Sequence, residues 1–221
     1  MEHYNNTILI SADRNGSTAF QETLKPRGLN GDYEVFLGEC FSQDPDKNQP
    51  PSWYDPDNYR PLQLVETVNK ATGKPVVLKA QITFPNFTTE FLEIPAQRKI
   101  FLHRNLFDST LSRCIAQLTG HWFTSVDNNV NTEQVEIPLD FFISRLEWRI
   151  DQYLMYLPAV LEWCNELYCY ETYNYNTNLS IKPNNDKKFI VKNYDELESK
   201  FLSYQHISQI NSLIDKKINY D

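Results

Sequence analysis

The stretch from Thr7 to Phe20, TILISADRNGSTAF, constrains the fold more than any other part of the chain. Its first four residues, Thr7 to Ile10, have the length and the aliphatic, β-branched composition of a buried strand. A turn-rich loop from Ser11 to Thr18 follows and leads into a segment that can be helical. The predicted order is therefore strand, loop, helix.

A loop that opens a helix in this way is suited to bind an anion, because backbone N–H groups and the positive end of the helix dipole converge there. Gly16 lets the backbone approach the anion, and Arg14, Ser17 and Thr18 add side-chain donors. We therefore predict a phosphate or sulfate site, with an ordinary capped βα turn as the alternative. The nucleoside-triphosphate pattern G-x-x-x-x-G-K-[ST] is not met, because Ser11 replaces its first glycine and Ser17 its lysine.

The composition bounds the class of protein. A chain of 221 residues suits one domain, residues 1–221, with an α/β sheet covered on both faces. The net charge of -8 argues against a nucleic-acid or anionic-membrane surface, so that the anion site must be a local cationic pocket. We expect a soluble, cytoplasmic protein, because no apolar run approaches a membrane span and the first strand leaves no room for a signal peptide.

The four cysteines give no indication of a metal site. Cys40, Cys114, Cys164 and Cys169 lack metal-ligand spacing, and in the cytoplasm we expect them to be reduced.

A carboxylate follows the second predicted strand, Tyr33 to Leu37. Glu39 comes after this apolar run, at the point where residues emerge at the carboxyl edge of a parallel sheet. There it could take a proton from an acceptor hydroxyl, although most glutamates at such positions are solvated loop residues.

The segment 42–61 is predicted to be a loop or lid because it is rich in Pro, Asp, Asn and Tyr. Its Trp53, Tyr54 and Tyr59 could stack on a sugar or hold the loop against the body of the protein. A short helix is predicted directly after it, over 61–71.

The third predicted strand, 75–81, contains Lys79. Although this strand is expected to be buried, the ammonium group of Lys79 must reach water or a paired group. The fourth, 98–104, ends at Arg104, and a helix is predicted from Ser109 to Thr119. His103 is expected to be packed inside the strand.

The spacing from Arg104 to Ser112 predicts a second anion site. Arg104 emerges at the carboxyl end of its strand, Asp108 can cap the following helix, and Ser112 lies one turn in, so that a guanidinium and a hydroxyl reach the same anion. A surface salt bridge is the alternative for Arg104. Two anion sites at two strand ends fit a nucleotide with phosphate groups on both sides of its ribose.

The rest of the chain completes an α/β pattern. A long amphipathic helix is predicted from 137 to 164, with Pro158 expected to kink or divide it. The last strand is predicted over 167–172, a loop over 173–186, and a terminal helix around 197–202.

Several of these motifs resemble those of the sulfotransferases. Arg14-Asn15-Gly16-Ser17-Thr18 resembles their 5′-phosphosulfate loop, P-[RK]-[ST]-G-[ST]-[ST], and the Arg104 to Ser112 element resembles their 3′-phosphate motif, R-[ND]-P-x-[DE]-x-x-x-S. The family's prolines are replaced by Asp13 and Leu106. Tyr170-Glu171 and the Asn193 to Leu197 segment are similar to late motifs of short bacterial and viral carbohydrate-type members.

The resemblance implies a doubly wound, P-loop-like three-layer α/β domain with a central parallel sheet and helices on both sides. It also implies transfer of a sulfuryl group from 3′-phosphoadenosine 5′-phosphosulfate (PAPS) to an acceptor hydroxyl, expected to belong to a carbohydrate, without a metal. The implied donor-binding residues are Arg14, Asn15, Gly16, Ser17, Thr18, Arg104 and Ser112.

The resemblance implies the catalytic roles as well. Arg14 and Lys79 would neutralise charge on the leaving phosphate oxygen. The cytosolic branch of the family has a catalytic histidine where this chain has Gln81, so the expected base is Glu39, with His121 in reserve. Candidates for closing over the 3′-phosphate are Lys182, Lys187 and Lys188.

Two other classes of function stay open from the sequence. A kinase would share the strand-loop-helix site, but it would require ATP and Mg²⁺ and would not need Arg104 with Ser112. A non-catalytic module could keep the nucleotide pocket and hold a sugar under the aromatic Trp53-Tyr54 lid.

Overall fold

The centre of the molecule is a five-stranded sheet in which all strands are parallel, in the order β2-β3-β1-β4-β5. The structure, a computed structural model, describes residues 5–12, 20, 30–33, 61–72, 75–83, 87–120, 134–172 and 187–220. The strands are β1 Thr7–Ser11, β2 Asn30–Tyr33, β3 Val76–Gln81, β4 Arg98–His103 and β5 Glu166–Cys169.

Helices separate the later strands and form the carboxyl-terminal part of the chain. A short 3₁₀ turn, Thr89–Glu93, precedes β4. The helices are α1 Pro61–Thr72, α2 Leu106–Thr119, α3 Leu139–Trp163, α4 Lys187–Ile190, α5 Tyr194–Leu202 and α6 Gln205–Tyr220. Within the part of the chain that the structure describes, no helix has the length and apolarity needed to cross a membrane.

Both faces of the sheet are buried, as expected for parallel strands. Alternate residues of β1 point to opposite faces, so that Ile8 and Ile10 join the larger core with α2, α3 and α6, whereas Leu9 joins a smaller one. The smaller core contains Ile100 and Phe20. The predicted fold class, a parallel α/β sheet covered on both faces, is therefore confirmed.

The helix α2 begins three residues earlier than predicted. Asn105 is its N-cap, and the side-chain oxygen of Asn105 accepts a hydrogen bond from the Asp108 N–H at 3.1 Å. The prediction that Asp108 caps this helix was wrong, because starting at Leu106 allows Leu106 and Phe107 to pack in the core. The helix ends at Gly120, whose φ of 73° is a left-handed conformation that glycine adopts without strain.

Of the two predicted outcomes at Pro158, a kink or a division, the division is wrong, because the helix α3 is continuous through this residue. Proline lacks the N–H that would bond to the preceding turn, so the helix loses one internal hydrogen bond at this point. Leu157, Val160 and Leu161 are all buried on the same core face. We attribute the continuity to this packing, which outweighs the loss of one bond.

The last strand and the second strand differ from the predicted ones. The last strand is Glu166–Cys169, so it ends three residues before the predicted end at Thr172, and Tyr170 and Glu171 lie in the turn after it. The second strand is Asn30–Tyr33, so it shares only Tyr33 with the prediction, and residues 34–37 lie outside the described part. The terminal helix α6, Gln205–Tyr220, was not predicted. Residues 42–60 of the predicted lid also lie outside the described residues, whereas the helix predicted after them is present as α1.

Candidate functional site

The strands β3, β1 and β4 lie side by side and end at the same edge of the sheet. Ser11, the last residue of β1, is in register with Gln81 on one side and with Leu102 on the other. The Ile82 N–H donates to the Ser11 carbonyl at 2.8 Å, directly beyond the end of β3. Residues that follow these strands therefore start from one edge, where ligands bind in open parallel sheets.

The structure places three of the predicted site residues, Lys79, Arg104 and Ser112. The described chain stops at Ala12, at the edge where the predicted 5′-phosphosulfate loop begins. The predicted site residues that lie outside the described residues are Arg14, Asn15, Gly16, Ser17, Thr18, Glu39 and the reserve base His121.

Arg104 comes directly after β4, and its side chain is held between two residues that follow β5. Its guanidinium carbon lies 4.4 Å from the centroid of the Tyr170 ring, a cation–π contact. Its Nε lies 3.9 Å from Oε1 of Glu171, which makes an ion pair that is too long for a hydrogen bond. Only 8% of Arg104 is exposed. Its buried charge therefore has an aromatic and an anionic neighbour in place of water.

Glu171 is tied to the same turn of the chain by two hydrogen bonds. The Asn105 backbone N–H donates to Oε1 at 2.9 Å, and the Cys169 thiol donates to Oε2 at 3.0 Å. Burial alone would raise the pKa of Glu171, but the Cys169 thiol, the Asn105 N–H and the Arg104 charge together hold it below its usual value. The carboxylate is therefore ionised at neutral pH.

The helix α2, which begins two residues after Arg104, contains both Asp108 and Ser112. Asp108 and Ser112 are one turn apart and share a face of α2. Lys187 of α4 donates to the Asp108 backbone carbonyl, and its Nζ lies 3.4 Å from the Asp108 Oδ1. Of the three candidate lysines, Lys187 is thus at the face of α2 that carries Ser112, whereas Lys188 pairs with Asp195 at 2.8 Å on the surface.

Lys182 lies outside the described residues.

Lys79 is on the other side of β1, inside β3. It is in register with Leu9, two residues before the strand ends, and alternation along the strand puts it on the face of the smaller core. Only 3% of the residue is exposed. Burial lowers the pKa of Lys79 from 10.5 to about 7, so its ammonium form and its amine form are similarly populated at neutral pH.

His103, the last residue of β4, is packed as expected. Its ring is edge-on to that of Tyr153 in α3, with 6.5 Å between the ring centroids. Burial lowers the pKa of His103 to about 4, and the carboxylates of Glu171 and Asp215 oppose this only in part. His103 is therefore neutral at physiological pH.

Two features of this region were missed by the sequence reasoning. Tyr170 and Glu171 were noted only as a late family-like motif, and nothing local in the sequence indicates that they contact Arg104. Arg149 of α3 is fully buried and its Nη1 donates to Ser109 Oγ of α2 at 3.3 Å. Its sequence signal is weak, because it lies among the apolar positions of a helix where charged residues rarely occur.

Comparison of the chain with protein-family models, with curated proteins and with solved structures finds no match. Within the described residues, no group of three or more His, Cys, Asp or Glu side chains is arranged so that it could hold a metal ion.

Proposed function

We propose that the protein is a PAPS-dependent sulfotransferase that transfers a sulfuryl group to a hydroxyl of an acceptor, with a carbohydrate as the expected class of acceptor. The observation that carries the proposal is the position of Arg104. It is a buried guanidinium at the carboxyl end of β4, directly beside β1, from whose end the predicted 5′-phosphosulfate loop begins.

The spacing of the strands supports one ligand with two anionic ends. Neighbouring strands are about 5 Å apart, so that sites at the ends of β1 and β4 are within reach of a single nucleotide. Arg104 with Ser112 would hold the 3′-phosphate, and the loop Arg14, Asn15, Gly16, Ser17 and Thr18 would hold the 5′-phosphosulfate. A nucleotide triphosphate enzyme has no use for the second of these sites.

The proposed reaction moves one sulfuryl group and one proton. The acceptor oxygen forms a bond to sulfur as the bond from sulfur to the phosphate oxygen breaks, and adenosine 3′,5′-bisphosphate leaves. Arg14 and the ammonium form of Lys79 stabilise the charge on the leaving oxygen. Glu39 takes the proton of the acceptor hydroxyl, and the proposal includes no metal.

The proposal extends to the surroundings of the enzyme. We place it in the cytoplasm, because Cys114, Cys164 and Cys169 are free thiols and the net charge is -8. The same acidic charge is unsuited to nucleic acid, and we propose none as a partner.

Replacement of the proposed base tests the mechanism. Glu39→Gln should lower turnover by about 10²- to 10⁴-fold, because an amide cannot accept the proton, while the affinity for the donor stays nearly unchanged. Turnover is measured as release of adenosine 3′,5′-bisphosphate from PAPS in the presence of a panel of sugars.

Glu66→Gln is the matched control, since Glu66 is an exposed carboxylate on α1, and this variant should keep full turnover. Equal turnover of Glu39→Gln and the wild type would remove Glu39 from the mechanism. Donor binding without product from any acceptor would favour a binding module over an enzyme.

A further inference from the structure

The residues that surround Arg104 do more than stabilise a buried charge. We propose that Tyr170 and Glu171 are positioning residues that orient the Arg104 guanidinium toward the 3′-phosphate of the nucleotide. This inference rests on the proposed function, because it assigns a role to two residues beside the anion site of that function.

The guanidinium is held over the ring of Tyr170. A free arginine side chain has several rotatable bonds, and fixing it costs about 2 kcal/mol of rotamer entropy. The 4.4 Å contact between the guanidinium carbon and the Tyr170 ring holds the group against the ring before any ligand binds. Tyr170 is itself fixed to the sheet, because its N–H donates to the His103 carbonyl at 2.8 Å.

Glu171 sets which side of the guanidinium faces the carboxylate. The 3.9 Å distance from Nε to Oε1 turns the Nε side of the group toward the carboxylate. The two terminal nitrogens, which form the bidentate edge that suits a phosphate, then lie at the end directed away from Glu171. Because 3.9 Å is too long for a hydrogen bond, Glu171 attracts the charge without taking up an N–H of the guanidinium.

The same carboxylate oxygen also fixes the backbone. Oε1 accepts the Asn105 N–H at 2.9 Å, and Asn105 is the N-cap of α2. Glu171 therefore sets the position of Arg104 relative to the helix that carries Ser112. At 3.9 Å the pair has no direct hydrogen bond, so Glu171 competes with a bound anion for Arg104 through charge alone, and we take this cost to be small compared with the gain in orientation.

The experiment compares two ligands that differ only in the 3′-phosphate. Dissociation constants of adenosine 3′,5′-bisphosphate and adenosine 5′-phosphate are measured by calorimetry, and their ratio is the 3′-phosphate preference. Glu171→Ala should lower this preference about tenfold, with the affinity for adenosine 5′-phosphate within about twofold of the wild type. Glu171→Gln keeps a neutral acceptor for the Asn105 N–H and loses the charge, so it should lower the preference about threefold.

Glu166→Gln is the matched control. Glu166 is at the other end of β5 and forms two hydrogen bonds of 2.6 Å with Arg98. Its replacement should lower the melting temperature and leave the 3′-phosphate preference unchanged. This result would separate the effect of losing an ion pair on β5 from the effect of losing the orientation of Arg104.

Tyr170 provides a second, independent arm. Tyr170→Leu removes the ring and should lower the preference more than Tyr170→Phe, which keeps it. An unchanged preference in Glu171→Gln and Tyr170→Leu, beside a clear preference in the wild type, would overturn the positioning role and leave the proposed function intact. A wild type without any preference would overturn both. If Glu171→Ala does not fold, Glu171→Gln and Tyr170→Leu decide.

Discussion

The strands β3 and β4 flank β1. A buried basic residue lies near the carboxyl end of β3 and another directly follows β4, but the surroundings of the two side chains differ. Arg104 is stacked on Tyr170 and paired with Glu171. Lys79 is on the face of the smaller apolar core, and burial lowers its pKa to about 7. At the same edge of the sheet, the end of β4 thus leads to a guanidinium with an aromatic and an anionic neighbour, whereas β3 holds an amine that can gain or lose a proton at neutral pH.

The two basic residues differ in their neighbours among the described residues and in the effect that burial has on Lys79. An aromatic face and a carboxylate lie around the buried Arg104 guanidinium, where water would otherwise solvate it. Burial dominates the environment of Lys79, and the amine form is favoured accordingly. A bound anion beside Lys79 would raise the pKa of Lys79 and favour its ammonium form. Lys79 would then be fully charged only when the donor is bound.

Lys79→Met gives the largest expected effect. At Lys79 the unfolded chain is protonated and the folded chain is not between pH 7 and 10.5, so the contribution of Lys79 to wild-type stability rises with pH across this window and is constant below it. The buried lysine costs about 5 kcal/mol at pH 7, and this cost disappears in the methionine variant.

Urea unfolding of both proteins from pH 7 to 10 measures the difference between their stabilities, which should narrow as the pH rises. Lys70→Met, at an exposed position of α1, is the control and should run parallel to the wild type. Parallel profiles of Lys79→Met and the wild type would mean that Lys79 keeps its charge, and the contrast with Arg104 would be wrong.

His103 sharpens the comparison within β4, because it is neutral next to the charged Arg104. The pKa of His103 is about 4 in the folded protein and 6.5 in the unfolded chain, so protonation of the unfolded chain comes first as the pH falls. The contribution of His103 to the free energy of unfolding therefore decreases by about 3 kcal/mol between pH 6.5 and pH 4. His103→Gln should lack this loss, which acid urea unfolding detects. The control is His206→Gln at an exposed position of α6, which should lose stability in acid as the wild type does.

Arg104→Met should weaken the binding of adenosine 3′,5′-bisphosphate about 100-fold, because charge-assisted hydrogen bonds to the 3′-phosphate are lost. Arg104→Lys should be intermediate, since an ammonium group keeps the charge without the bidentate fork. Calorimetry measures both. Arg98→Met, at the opposite end of the same strand, should bind as the wild type does, and an equal loss in Arg98→Met would mean that the effect comes from stability alone.

The central strands could be predicted from the sequence for a physical reason. Strands buried on both faces of a parallel sheet are continuous apolar runs, as in Ile8 to Ile10 and Ile100 to Leu102, so their signal is local. The position of Arg104 directly after β4 and of Ser112 within α2 also followed from local spacing, but Ser112 lies further into the helix than the predicted one turn, because the helix begins at Leu106.

What could not be predicted depends on contacts between distant residues. Asn105 and Asp108 are equally suitable caps in isolation, and only the packing of Leu106 and Phe107 decides between them. Glu171 contacts Arg104 and Asn105 because β5 pairs with β4. No sequence pattern near Glu171 or near Arg104 reveals this pairing.

The measurement that tests the proposed function most directly is titration calorimetry of the wild type with adenosine 3′,5′-bisphosphate, adenosine 5′-phosphate, and ATP with Mg²⁺. We expect micromolar binding of the bisphosphate that collapses when the 3′-phosphate is absent. Tighter binding of ATP with Mg²⁺ would contradict the assignment of Arg104 to a 3′-phosphate site and would favour a kinase.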